Sequence, residues 1–173
     1  MILSLTGFMG CGKSSVAREL SALMDCPLVD LDAYIEEREG RTIPEIFKEG
    51  GEALFREKEL SALREVVESD MDRDIVLSLG GGALTLQESR DIVHEMTFCI
   101  YLKAQVDTLV GNLLRGGTSS RPMLSEEKSL REQVEGLLSR RKDIYEGCAR
   151  MIIATDGKSF REVAEEISRE LGE

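Results

Sequence analysis

"GFMGCGKSS", residues 7–15, follows directly on the apolar run "MILSLT" and precedes a segment in which Val16, Leu20 and Leu23 recur at helical spacing. A strand, a glycine-rich turn and a helix are therefore expected, with Gly7, Gly12, Lys13 and Ser14 at the fixed positions of G-x-x-x-x-G-K-[ST]. Glycines permit positive φ and close approach, so successive backbone N–H groups can converge on phosphate oxygens at the positive end of a helix dipole. Gly10, Cys11, Gly12, Lys13, Ser14 and Ser15 form the expected set around a nucleotide's phosphates. Within it Lys13 would contact the β- and γ-phosphates, and Ser14 would ligate Mg²⁺. An ordinary glycine turn, or a loop that holds a nucleotide without chemistry, is the alternative, and the number of matched positions weighs against both.

Outward from this loop the chain alternates short apolar runs with longer segments of helical period. "ILSL" 2–5, "PLVD" 27–30, "DIVLSL" 74–79, "TFCIYL" 97–102 and "RMIIA" 150–154 read as strands, each too short for a buried helix. Val106, Leu109, Val110, Leu113 and Leu114, then Leu130, Val134, Leu137 and Leu138, mark amphipathic crossover helices. Strands with little polar alternation between such helices imply a mainly parallel sheet covered on both faces. "RGGTSSRPM", 115–123, has no apolar period and is the candidate lid. With 173 residues, no internal repeat and no linker, a single domain spanning 1–173 is expected.

Composition narrows the partners. Thirty-three acidic against 22 basic residues give a formal charge of −11, which disfavours nucleic acid and anionic membrane. An acidic protein that holds an anionic ligand must gather its few cations at one place, so arginines standing out of pattern become candidates. Cys11, Cys26, Cys99 and Cys148 form no CxxC pair, and one histidine, His94, completes no metal constellation. Cys11 reads as a small loop side chain, Cys26 and Cys99 as core thiols, and His94 as a helix-surface residue. The absence of a membrane-length apolar stretch or a secretory n-region leads to the expectation of a soluble, cytoplasmic protein.

A guanine-reading Asn-Lys-x-Asp is missing, because the chain's one asparagine, Asn112, is followed by leucine. The strand over 74–79 runs into "GGG" instead of ending in a metal-organising aspartate. "LVDLD" supplies carboxylates instead: Asp30 and Asp32 lie two apart, on one side of an extended chain, at the edge where α/β ligands bind. Asp30 would hold Mg²⁺ through water, and Asp32 would accept a hydrogen bond from an acceptor hydroxyl, either orienting it only or also taking its proton. Alternatively, Asp32 is only the cap of the helix "AYIEERE". Gly80, Gly81 and Gly82 would let a ligand lie against backbone, although a tight turn explains one or two of them equally well.

Taken together, "GFMGCGKSS", "LVDLDAYIEEREGRTIPEIFKEGGEALFREKE", "LSLGGGA", "RGGTSSRPML" and "RRKDIY" closely resemble the shikimate kinases, in the family's order and approximate spacing over nearly the whole chain. That resemblance implies an α/β, nucleoside-monophosphate-kinase-like three-layer sandwich with a five-stranded parallel sheet of order 2-3-1-4-5 and a lid. The substrate-binding helical part would span about 32–62. It implies transfer of the γ-phosphoryl of ATP to the 3-hydroxyl of shikimate, a step towards chorismate and the aromatic amino acids, with Mg²⁺ as cofactor.

By motif, the resemblance assigns Asp30 to Mg²⁺ and Asp32 to the hydroxyls of shikimate. It assigns Arg56 and Arg141 to the substrate carboxylate, Gly80, Gly81 and Gly82 to the same pocket, and Arg121 in "SSRP" to the phosphates as the lid arginine. Arginine's planar fork suits carboxylate and phosphate alike. The stretch "LLRGGT" places Arg115 out of step with the family's adenine arginine, and "ATDGKSF", 154–160, falls where adenine is wrapped, so no individual adenine contact is assigned. The expected partners are ATP and shikimate acting on a monomer. Two rivals stay open: another small-molecule kinase of this architecture, for example one acting on gluconate, and a catalytically silent nucleotide-binding module.

Overall fold

Residues 1–69, 72–116 and 127–172 are described by the computed structural model, without the side chains of residues 127 and 128. All five apolar runs are strands: β1 (Ile2–Thr6), β2 (Leu28–Asp30), β3 (Ile75–Ser78), β4 (Phe98–Lys103) and β5 (Met151–Ala154). They build one parallel sheet in the order β2-β3-β1-β4-β5. In its centre Leu3 is in register with Val76 on one side and Phe98 on the other. Every residue of β1 and β3 is buried, because helices cover both faces and leave no solvated side to alternate with.

The helices are α1 (Lys13–Met24), α2 (Leu31–Glu39), α3 (Ile43–Ser69), α4 (Gln87–Met96), α5 (Val106–Arg115), α6 (Glu127–Cys148) and α7 (Phe160–Leu171). The connection from β1 through α1 runs to β2 at one edge, whereas that from β3 through α4 runs the other way to β4. With right-handed crossovers the two helices fall on opposite faces. The carboxyl end of β1 is thus the switch point of the sheet, the place where a ligand crevice opens in such folds. α7 packs on α1, and α6 packs on both α4 and α5. Leu5, Val16, Leu20, Leu77, Cys99, Ile100 and Ile167 are fully buried between these layers.

Two local features shape the site, and the first differs from the expectation. β2 ends at Asp30, and Asp32 already lies in the first turn of α2, so the two aspartates do not share one extended chain. Asp30, not Asp32, is the N-cap, its carboxylate accepting from the N–H of Ala33 at 3.1 Å. The helix begins earlier because an aspartate at its N-terminus satisfies an otherwise unpaired donor. Second, α3 is broken at Gly51, whose φ of 70° and ψ of −166° no helix contains, so the segment carrying Arg56 runs at its own angle.

Of the two expected core thiols, Cys99 is buried and Cys26 only half so; the loop residue Cys11 is buried as well, and His94 is exposed on α4. Arg121 and most of the 115–123 segment lie outside the described residues. No helix among the described residues is long and apolar enough to cross a membrane.

Candidate active site

The turn between β1 and α1 has the geometry its glycines allow. Gly10 and Gly12 take φ of 84° and 90°, and Gly12 is the residue from which α1 starts, leaving the first N–H groups of the helix directed at the turn. Lys13 reaches back across it, its ammonium donating to the carbonyl of Gly7 at 2.6 Å and of Phe8 at 3.3 Å. Ser14, beside it in the first turn of α1, is exposed, and Ser15 is half-buried. Cys11 is buried, and burial raises its thiol pKa more than the neighbouring Lys13 lowers it, so it packs and does not ionise near neutral pH.

Facing this loop is the turn after β3. Gly80 lies against Asp32, whose Oδ1 is 3.0 Å from where a Cβ on Gly80 would stand. Burial, then the charge of Asp30, raise the pKa of Asp32, while Lys13 and Arg56 pull it down. Those four contributions place the carboxyl between a second carboxylate, the loop lysine and an arginine of α3. It is a half-buried acid within electrostatic reach of two cations, suited to orienting a hydroxyl.

Arg56 is fixed from below. It donates to Glu59 at 2.8 Å and to Glu52 at 3.4 Å, and Glu59 is itself only 2 % exposed. Burial raises the pKa of Glu59 and the Arg56 hydrogen bond counters it, as in a charge kept in place by its partner. The Arg56 guanidinium lies over the ring of Phe55, 5.1 Å from its centroid. Its Nη2 occupies the space that a Cβ of Gly82 would need. Gly82→Ala must therefore push the guanidinium aside. We expect this variant to melt close to the parent, since the clash is with the end of a long side chain, yet to lose acid-substrate affinity at least tenfold by titration. Unchanged affinity would show that Arg56 does not need its present position.

From the other side α6 brings Arg141 and Tyr145, one turn apart. Arg141 donates to the Gly81 carbonyl at 3.4 Å and Tyr145 to the same oxygen at 2.7 Å. Gly81, Gly82, Thr85, Arg141 and Tyr145 line one small cavity. Thus Lys13, Asp32, Arg56 and Arg141 converge on the Gly80–Gly82 turn, which gathers cationic groups in a chain of charge −11.

A separate pocket of about 400 Å³ opens between the phosphate loop, α5 and the start of α7. Asn112, Arg115, Thr155, Gly157, Ser159 and Phe160 are among its walls, so Arg115 and the 154–160 stretch do meet in space. Asp156 ties this stretch to the start of α5, accepting from the Gln105 N–H at 2.9 Å and the Thr108 hydroxyl at 2.6 Å.

This geometry combines a phosphate loop, a base-sized pocket beside it and a cationic recess opposite. The sequence profile of the shikimate kinases matches residues 9–172. The chain belongs to the shikimate kinase family. It is 38 % identical to the shikimate kinase of Dictyoglomus turgidum over 98 % of this chain and 96 % of that one. It is 40 % identical to a shikimate kinase of Thermus thermophilus, over 98 % and 89 %. The solved shikimate kinase of Acinetobacter baumannii, in complex with shikimate, superposes with a TM-score of 0.85 at 31 % identity, over 98 % of this chain and 92 % of that one. As a member of this family the protein is an ATP-dependent kinase.

Glu59, Tyr145 and Asn112 were given no site role from sequence. The first two were recoverable, since Glu59 stands three residues after Arg56 and Tyr145 four after Arg141, spacings that share a helix face. The donor set also fits Mg²⁺. A serine hydroxyl on α1 and an aspartate at the end of β2 are hard oxygen ligands, and Mg²⁺ is usually held by one or two protein groups plus substrate phosphates.

Proposed function

We infer that the protein transfers the γ-phosphoryl group of ATP to the 3-hydroxyl of shikimate, giving shikimate 3-phosphate and ADP. The single observation that carries the choice of acceptor is the pairing of two arginines, Arg56 and Arg141, across the Gly80–Gly82 turn beside Asp32. Two planar cations suit one carboxylate, and an aspartate next to them suits the hydroxyls of the ring it belongs to.

The division of labour follows the positions. The Gly10–Ser15 loop and the start of α1 cradle the phosphates, and Lys13 neutralises charge on the β- and γ-oxygens. Mg²⁺, held by Ser14 and through water by Asp30, would supply further positive charge to the same oxygens. Asp32 orients the acceptor hydroxyl for in-line attack and takes its proton. Arg56 and Arg141 clamp the carboxylate, Gly80 to Gly82 give the ring a flat backbone floor, and α2 with the first part of α3, about 32–62, forms the acid-binding region. By its motif alone, Arg121 is assigned to the transferring phosphoryl group. The reading includes one domain over 1–173, a monomer, and a cytoplasmic location.

Arg56→Ala and Arg141→Ala test the acceptor. Each should weaken shikimate binding by about 2 to 5 kcal/mol and leave ATP binding nearly unchanged, because truncation leaves the carboxylate or Glu59 unpaired in a desolvated recess. Lysine should restore little, lacking the fork. Equal losses for both ligands by calorimetry would remove these arginines from the acid pocket.

A further inference from the structure

The crest of the phosphate loop is held by a residue from another element. Asn112, on the last turn of α5, donates from its side-chain amide to the carbonyl of Gly10 at 2.7 Å. Its Oδ1 accepts from the Arg115 guanidinium. An acceptor on one side and a donor on the other fix which way the amide faces. α5 also leaves Gly10 no room to shift. A Cβ there would come within 3.0 Å of Leu113 and 3.3 Å of the Leu109 carbonyl.

The bond acts on one particular peptide. A trans peptide is planar, with C=O and N–H pointing opposite ways, so a grip on the Gly10 carbonyl also aims the N–H of Cys11. That N–H points at the carbonyl of Phe8, 3.1 Å away, and the same oxygen accepts from Lys13. The inner side of the Gly10–Cys11 peptide therefore belongs to the cluster around the loop lysine, while its outer side belongs to Asn112.

We propose that Asn112 is a positioning residue for phosphoryl transfer: through Gly10 it fixes the Gly10–Cys11 peptide, whose N–H closes the turn onto the Phe8 carbonyl that also takes the Lys13 ammonium, and so it holds the phosphate loop in shape. This rests on the phosphate-loop reading above. Asn112 also borders the base-sized pocket, so contact with the base is the competing role. Half-ligands separate the two, because inorganic tripolyphosphate carries the phosphates without a base and adenosine the base without phosphates.

The expected result for Asn112→Leu, a neutral substitution of similar size, is a roughly tenfold rise in the inhibition constant of tripolyphosphate, the effect of losing about one hydrogen bond. KM for ATP should rise in parallel, with adenosine binding and KM for the acid acceptor unchanged. Asn112→Ala, which adds no apolar bulk, must give the same pattern and guards against a packing defect in the leucine variant. Unchanged tripolyphosphate inhibition, weakened adenosine binding alone, or losses for every ligand together with a lowered melting temperature would each overturn the role of Asn112. A parent protein that bound neither ATP nor tripolyphosphate would overturn the phosphate-loop reading and this proposal together.

Discussion

Lys13→Met is expected to lose phosphoryl transfer by at least 10² to 10³-fold, the usual effect of removing one preorganised donor to developing charge. The protein should stay folded. Among the described residues, the Lys13 ammonium bonds to the carbonyls of Gly7 and Phe8 and weakly to Cys11. Methionine keeps the length and the helix propensity at the start of α1. ATP affinity should fall less than turnover, because the ammonium matters most when charge builds on the transferring group. Steady-state kinetics beside a thermal melt checks both. Near-parental turnover in a folded variant would contradict the assignment of the loop.

Asp32→Asn should lower turnover with shikimate by roughly 10² to 10⁴, the range for a positioned acid-base group, while ATP and Mg²⁺ still bind. Asparagine keeps the shape against Gly80 but has neither charge nor basicity. Burial and the neighbouring Asp30 raise the pKa of Asp32 above its ordinary value, so the acid limb of kcat/KM should shift upward from that value and disappear in the asparagine variant.

The sign for stability is opposite. A carboxyl whose folded pKa is raised contributes its full stability below the ordinary value and loses it as pH rises through the raised value. Asp32→Asn should therefore melt no lower than the parent at neutral pH. The neighbouring variant separates the roles: asparagine caps helices as well as aspartate, so Asp30→Asn can raise the Mg²⁺ requirement without unfolding α2. An acceptor defect in Asp30→Asn together with a metal defect in Asp32→Asn would reverse the assignments.

The sheet was legible because its strands are buried on both faces. "DIVLSL" and "TFCIYL" read as strands from apolarity alone, and the glycine loop fixed where the first one ended. The strand order was not legible, since periodicity does not say which strands lie side by side, and it came from resemblance. The placement of Asp32 differs from the expectation for a local reason. Apolar spacing in "LVDLD" fits a strand's period of two, and only the competition of Asp30 as a cap turns the chain helical at Leu31.

Arg56 and Arg141 came from motif and not from pattern, because each belongs to a helix whose charges look like those of any solvated face. What marks them in space is the glycine turn they share, a long-range arrangement that single-sequence spacing does not encode. Asn112 left no signal of its own. Its partner, Gly10, is 102 positions away, and the two meet only when α5 packs on the loop.

The central claim is that the recess opposite the phosphate loop takes a carboxylated ring, and ADP release measured side by side with shikimate, gluconate and nucleoside monophosphates tests it most directly. ADP should appear rapidly with shikimate and Mg²⁺·ATP, and at background rate with the other acceptors. Turnover with gluconate or a nucleoside monophosphate and none with shikimate would contradict the account of Asp32, Arg56 and Arg141, while leaving the fold and the phosphate loop in place.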